Sequence, residues 1–147
     1  MAQYAEHIDW TCERVACSSS VCAECAERPE SHSVYLRGAV GDAPILYTKP
    51  AEATLYYDHA GIVEHFRNAA RLSHPAPWVW VFDCEGLQMR HVLDPRTGLR
   101  IGRLLCSEFR QSVEAIVILK PNAVLRYSLY VVRAVLSKDV QAKIHLV

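Results

Sequence analysis

No stretch of this 147-residue chain approaches the ~20 consecutive apolar side chains that a membrane-spanning helix requires. Net charge is also missing: 16 Lys and Arg face 16 Asp and Glu. That balance removes the strong positive field with which nucleic-acid binders neutralise phosphates, so no nucleic-acid partner is expected. The first ten residues, MAQYAEHIDW, are acidic and contain no apolar run. No secretory signal is therefore expected. The protein is expected to be cytoplasmic, at most peripheral to membranes, with its six cysteines reduced. Catalytic spacing is absent as well. His59 and His65 are too far apart in sequence for one helical face, and neither they nor His91 form an evident acid–base set with Asp83. No catalytic residue and no enzymatic activity are expected.

What is present is a substantial apolar fraction, 51% of residues, enough for one globular domain with a core of its own. The neutral total conceals an asymmetry. Residues 1–33 carry a balance of −4, and residues 34–147 carry +4. The first segment is also rich in cysteine and is broken by Ser18-Ser19-Ser20 and Pro29. It reads as a short helical N-terminal segment, with helices over 2–17 and 21–27, ahead of a domain spanning 34–147.

From Val34 the pattern is α/β. VYLRGAV and PILYTK read as strands joined by a Gly41-Asp42 hairpin turn. Asp58 is placed to cap a helix running to about Leu72. Trp78–Asp83, WVWVFD, is a strand; Asp94-Pro95 opens a helix to about Arg110; AIVIL (115–119) is a continuously apolar, buried parallel strand. A helix over 123–136 follows, with Leu125, Leu129, Val132 and Leu136 at helical spacing, and IHLV closes as a strand. Strand and helix alternating in this way predict a mostly parallel sheet with crossover helices. The acids after WVWVF then have a structural explanation: Asp83 bonds its own backbone in the strand-ending turn, and Gly86 adopts positive φ.

Cys12, Cys17, Cys22 and Cys25 stand in a C-x4-C-x4-C-x2-C array flanked by His7 and His32. Cys22-Ala-Glu-Cys25 has the spacing of a zinc knuckle, and four thiolates would close a tetrahedral zinc site. The competing expectation is reduced thiols without a metal, because only four residues separate the middle pair.

WVWVFDCEG, then EAIVILKPN, then LRYSLYVVRAVLSKDVQAKIHLV, in that order, resembles the CRAL-TRIO lipid-binding family, in a minimal or divergent, BCH-like form. The matched features are Asp83 and Gly86 after a strand, Pro121 after the next, the long helix 124–136, and Lys143-Ile144 opening the last strand; Gly38 and Pro44 fit the early hairpin. The resemblance implies non-catalytic binding of a hydrophobic ligand, a phospholipid or other lipid, and its transfer between membranes. Apolar lining from Trp80, Phe82, Ile118, Leu125, Leu129 and Val132 would hold it under helix 124–136. Lys143 would face a headgroup, with Arg110 a second cation, although phosphoinositide-binding members carry Tyr-Pro-Glu-Arg where this chain has Glu108-Phe109-Arg110-Gln111. The divergent branch implies an alternative, a protein-interaction scaffold for small GTPases or their regulators with no bound lipid.

Overall fold

In the computed structural model, which describes residues 6–10, 19–73 and 75–147, six strands form one mixed sheet in sequence order. The strands are β1 (Ile8–Asp9), β2 (Val34–Val40), β3 (Ala43–Thr48), β4 (Trp78–Asp83), β5 (Val113–Leu119) and β6 (Ile144–Leu146). β1 to β3 pair antiparallel and β3 to β6 pair parallel. Between them lie α1 (Ala23–Glu27), α2 (His59–Ser73), α3 (Met89–Val92), α4 (Arg96–Ser107), α5 (Ala123–Arg133) and α6 (Lys138–Gln141). No helix among the described residues is long and apolar enough to cross a membrane.

Sequential strand order has a consequence. Each parallel crossover steps the same way across the sheet, and a constant hand then delivers every crossover helix to one face. Phe66 of α2, Leu105 of α4, Leu125 of α5 and Val140 of α6 accordingly share a core with Val34, Trp78 and Ile116 of the sheet. Side chains alternate along a strand, so Val79, Val81 and Val117 point the other way and form a second cluster with Ile45 and Tyr47. Both faces of the central strands are therefore dry, as their continuous apolar runs require.

The helix ends follow local chemistry. Asp58 Oδ1 accepts from the Gly61 N–H at 3.1 Å and caps α2; Asn122 Oδ1 accepts from Leu125 N–H at 3.0 Å and caps α5. The helix expected over 123–136 ends at Arg133. Its last residues tighten into i−3 hydrogen bonds, Val135 to Val132 and Leu136 to Arg133, which turn Leu136 into the core. Gln141 then donates its side-chain amide to the Leu136 carbonyl at 2.9 Å.

The N-terminal expectation needs correction at one point. Helix was expected over 2–17, but Ile8 and Asp9 pair as an edge strand with Val40 and Ala39; residues 1–5 and 11–18 lie outside the described residues. Gly38 explains the pairing. Its φ is +75°, and a Cβ there would stand 2.5 Å from the Asp9 carbonyl oxygen, so only glycine admits this strand beside the irregularity in β2. Helix α1 forms where expected. Val21 joins the core beneath α2, and residues on both sides of position 33 share that core.

Candidate functional site

The helix-facing side of the sheet carries Trp80 and Phe82 from β4, Ile116 and Ile118 from β5, and Thr48 from β3. Helix α5 crosses above them with Leu125, Leu129 and Val132, and a cavity of about 160 Å³ lies between. All six apolar residues singled out in the sequence line it: Trp80, Phe82, Ile118, Leu125, Leu129 and Val132. Trp80 and Phe82 stay partly accessible beneath the helices, whereas their neighbours Val79 and Val81 on the opposite face are 0% exposed. The difference arises because the first pair faces the cavity.

The floor is held by its own contacts. Trp80 stacks edge-on against Phe66 at 5.0 Å and against Phe82 at 5.7 Å. Its indole N–H donates to Thr48 Oγ1 at 3.0 Å, which fixes the ring and satisfies the only polar atom it presents. The roof is held less firmly. Leu125 is the one buried residue of α5 and Val124, Leu129 and Val132 pack on the core only partly buried, while Tyr127 and Tyr130 on its outer side are 58% and 82% exposed.

Two glycines of α4 bring the walls together. A Cβ on Gly98 would lie 2.9 Å from Val132 Cγ2, and one on Gly102 would lie 3.1 Å from Val135 Cγ2. Their i, i+4 spacing makes a smooth strip on α4 against which the C-terminal half of α5 and the turn after it rest. This strip, and the contribution of Ile62 and Phe66 from α2 and Ile101 and Leu105 from α4, went unassigned in the sequence. The RTGLRIG spacing of Gly98 and Gly102 was the available signal.

Polar groups gather on one rim and are engaged with each other. His59 Nδ1 lies 2.7 Å from Thr97 Oγ1, and its Nε2 lies 3.1 Å from Asp94 Oδ2. Arg96, through side-chain and backbone hydrogen bonds, holds the Asp94 carboxyl down at about 2. The two cations proposed for a headgroup are elsewhere. Lys143 Nζ donates to the carbonyls of Arg110 and Val113 at 2.7 and 2.8 Å, stapling the loop before β5 to the start of β6. Arg110 donates to Asp139 Oδ2 at 2.6 Å on the surface. Neither lines the cavity. Glu108, in the run compared with Tyr-Pro-Glu-Arg, is clasped by Arg71 and Arg67 of α2, and those hydrogen bonds hold its carboxyl below the ordinary range.

The acid pair at the end of β4 closes a turn. Asp83 Oδ1 accepts from Glu85 N–H at 2.9 Å, and Gly86 has φ +77°. Asp83 Oδ2 accepts from Tyr47 Oη at 2.5 Å on the opposite face of the sheet. Burial, and then this bond, push the Tyr47 phenol well above its usual pKa.

At the far wall of the cavity, Cys22 and Cys25 of the N-terminal segment meet His32 and His65, with one ligand-type atom from each within 4.8 Å of all the others. Of the four-cysteine set read from the sequence, Cys22 and Cys25 are in this cluster; Cys12 and Cys17 lie outside the described residues. Burial, helped by the nearby His32, pushes His65 down to about 4.

No family model matches the chain, and no curated protein matches it by sequence. The fold is similar to that in the crystal structure of Sfh5, a protein of the Sec14/CRAL-TRIO family, with a TM-score of 0.57 and 10% identity. The match covers 70% of this chain and 42% of the Sfh5 chain, so the chain spans less than half of that structure's length. At that identity the likeness establishes a shared α/β fold and nothing finer.

Proposed function

We propose that this protein binds a hydrophobic ligand, an acyl chain or comparable lipid moiety, between the sheet and α5, without chemically altering it. The observation that carries this reading is a cavity floored by Trp80, Phe82 and Ile118 and roofed by Leu125, Leu129 and Val132, a lining that is predominantly apolar. At about 160 Å³ the space matches apolar cavities of ~150 Å³ that take up a benzene ring. A short alkyl segment fits the cavity as it stands. A full acyl chain requires α5 to swing outward, and a helix with one buried side chain and the rest of its inner face only partly buried is suited to that motion. The polar rim favours a non-catalytic site, since His59 is already engaged by Thr97 and Asp94.

Native mass spectrometry of the protein after incubation with a phospholipid extract tests the reading. A retained lipid mass that Leu129→Trp abolishes, with the melting temperature preserved, supports it; a bare chain in both proteins refutes it. A second reading, a scaffold for small GTPases or their regulators, is favoured by one observation, the outward exposure of Tyr127 and Tyr130 on α5. Their replacement by serine would then abolish partner capture while leaving lipid retention intact.

A further inference from the structure

We infer that Cys22, Cys25, His32 and His65 form a closed, structural zinc site that fastens the N-terminal segment to α2. Three observations converge on it, independently of the lipid reading.

The first is geometry. With Zn–S near 2.3 Å and Zn–N near 2.0–2.1 Å, tetrahedral angles place a sulfur and a nitrogen ligand about 3.5 Å apart. Both Cys22 Sγ and Cys25 Sγ stand 3.4 Å from the same atom, His32 Nδ1. His65, nearly two turns into α2 on its buried face, presents its ring to His32 at a centroid distance of 5.7 Å and an interplanar angle of 79°. Edge-to-face imidazoles of this kind suit two ligands converging from different elements.

The second is the surrounding shell. His32 Nε2 lies 2.8 Å from Asp58 Oδ2, so the carboxylate holds the proton on Nε2 and leaves the Nδ1 lone pair directed at the thiols. A carboxylate behind a ligating histidine is the recurrent outer partner of zinc. Cys22 also caps α1, its sulfur accepting from Cys25 N–H at 3.5 Å, as a thiolate does in a knuckle turn.

The third is the effort spent in placing His32. Ser33, fully buried, takes φ +52°, a left-handed conformation that non-glycine residues rarely adopt, and so turns the chain between His32 and β2. Backbone bonds from Thr54 to Glu30 and from Leu55 to Ser31 hold the same loop against the turn before α2. A loop specified to this degree positions a side chain for more than packing. Because four protein atoms fill the tetrahedron, the metal has no open position and its role is structural rather than catalytic. His32 also borders the cavity, so the ion braces the wall opposite α5.

The test uses the full chain, purified reduced and without a chelating tag, with Zn²⁺ and Co²⁺ as probes. Elemental analysis is expected to give one zinc per chain, and Co²⁺ exchange to give tetrahedral ligand-field bands with thiolate charge transfer. Asp58→Asn retains the helix cap and the one-to-one stoichiometry but weakens zinc about 10–100-fold in competition with a chromophoric chelator. His65→Ala and Cys25→Ser lose the tetrahedral Co²⁺ spectrum. The Cys12→Ser/Cys17→Ser double variant keeps both zinc and spectrum, which separates this set from the four-cysteine array. Absence of zinc and of Co²⁺ bands in the reduced wild type overturns the assignment. So does loss of zinc in the double variant, or unchanged affinity in Asp58→Asn, a variant that remains informative if the ligand substitutions prevent folding.

Discussion

Lengthening a linear alkanol one carbon at a time, and titrating each member into the protein, measures how much chain the space under α5 takes up. A methylene occupies roughly 30 Å³, about a water molecule's share of its liquid. The cavity of about 160 Å³ therefore takes up about five methylenes before the roof must move. Each one transferred from water contributes about 0.8 kcal/mol, close to a fourfold gain in affinity. Five contribute about 4 kcal/mol, or nearly a thousandfold between the shortest and the longest chain that fits. Beyond that length the slope should fall, because each further carbon requires Leu129 and Val132 to lift from the sheet. The assay is calorimetry alongside tryptophan emission, since Trp80 forms part of the floor. Leu129→Trp fills the space from the roof and should remove the dependence on chain length, with circular dichroism confirming the fold. A flat series in the wild type, or the same rising series in Leu129→Trp, would refute the placement of the ligand.

Other expectations concern the frame around the cavity. Gly102→Leu drives a side chain into Val135 and Leu136 and should lower the unfolding free energy by about 1–3 kcal/mol in a denaturant titration. Cys84, whose thiol burial and then the Asp83 charge push up to about 12, should resist iodoacetamide at pH 8 in the folded protein and react in urea, as read by peptide mapping. Tyr47 keeps its proton in the folded chain to well above pH 10, where the unfolded chain releases it. Stability should therefore decline as pH rises beyond about 10, and Tyr47→Phe should flatten that alkaline limb. Lys143→Met removes two hydrogen bonds to carbonyls and should cost about 1–3 kcal/mol in stability while leaving ligand affinity unchanged; a selective loss of affinity would restore it to the binding site.

The parts of the site visible in the sequence were those with a local period. Trp78, Trp80 and Phe82 alternate along one strand, and Leu125, Leu129 and Val132 recur on one helical stripe, so each set declared its inward face. Asp83 to Gly86 was legible because turn chemistry is contained within a few residues. The cluster at Cys22 was only half legible. Its thiols and the flanking His32 announce themselves by spacing, but Asp58 and His65 come from a cap and a helix interior that only the fold brings to them. His65 was weighed only with His59, His91 and Asp83, because nothing near it in sequence points to Cys22 and Cys25. Lys143 and Arg110 were misleading for the converse reason. A cation near a strand entrance suggests an anionic ligand, yet carbonyls and Asp139 within the chain satisfy them first. The edge strand at Ile8 was hidden because two residues carry no period, and its admission depends on the missing Cβ of Gly38.

Isotope-filtered NMR on protein with labelled Ile, Leu and Val methyls, saturated with unlabelled hexanol, places the bound chain directly. Contacts between the alkyl protons and the methyls of Ile118, Leu125, Leu129 and Val132, with none to Val79 or Val117 on the opposite sheet face, are the expected result. Contacts confined to the outer surface of α5, or no bound hexanol at all, would contradict a hydrophobic ligand held between this sheet and its roof helix.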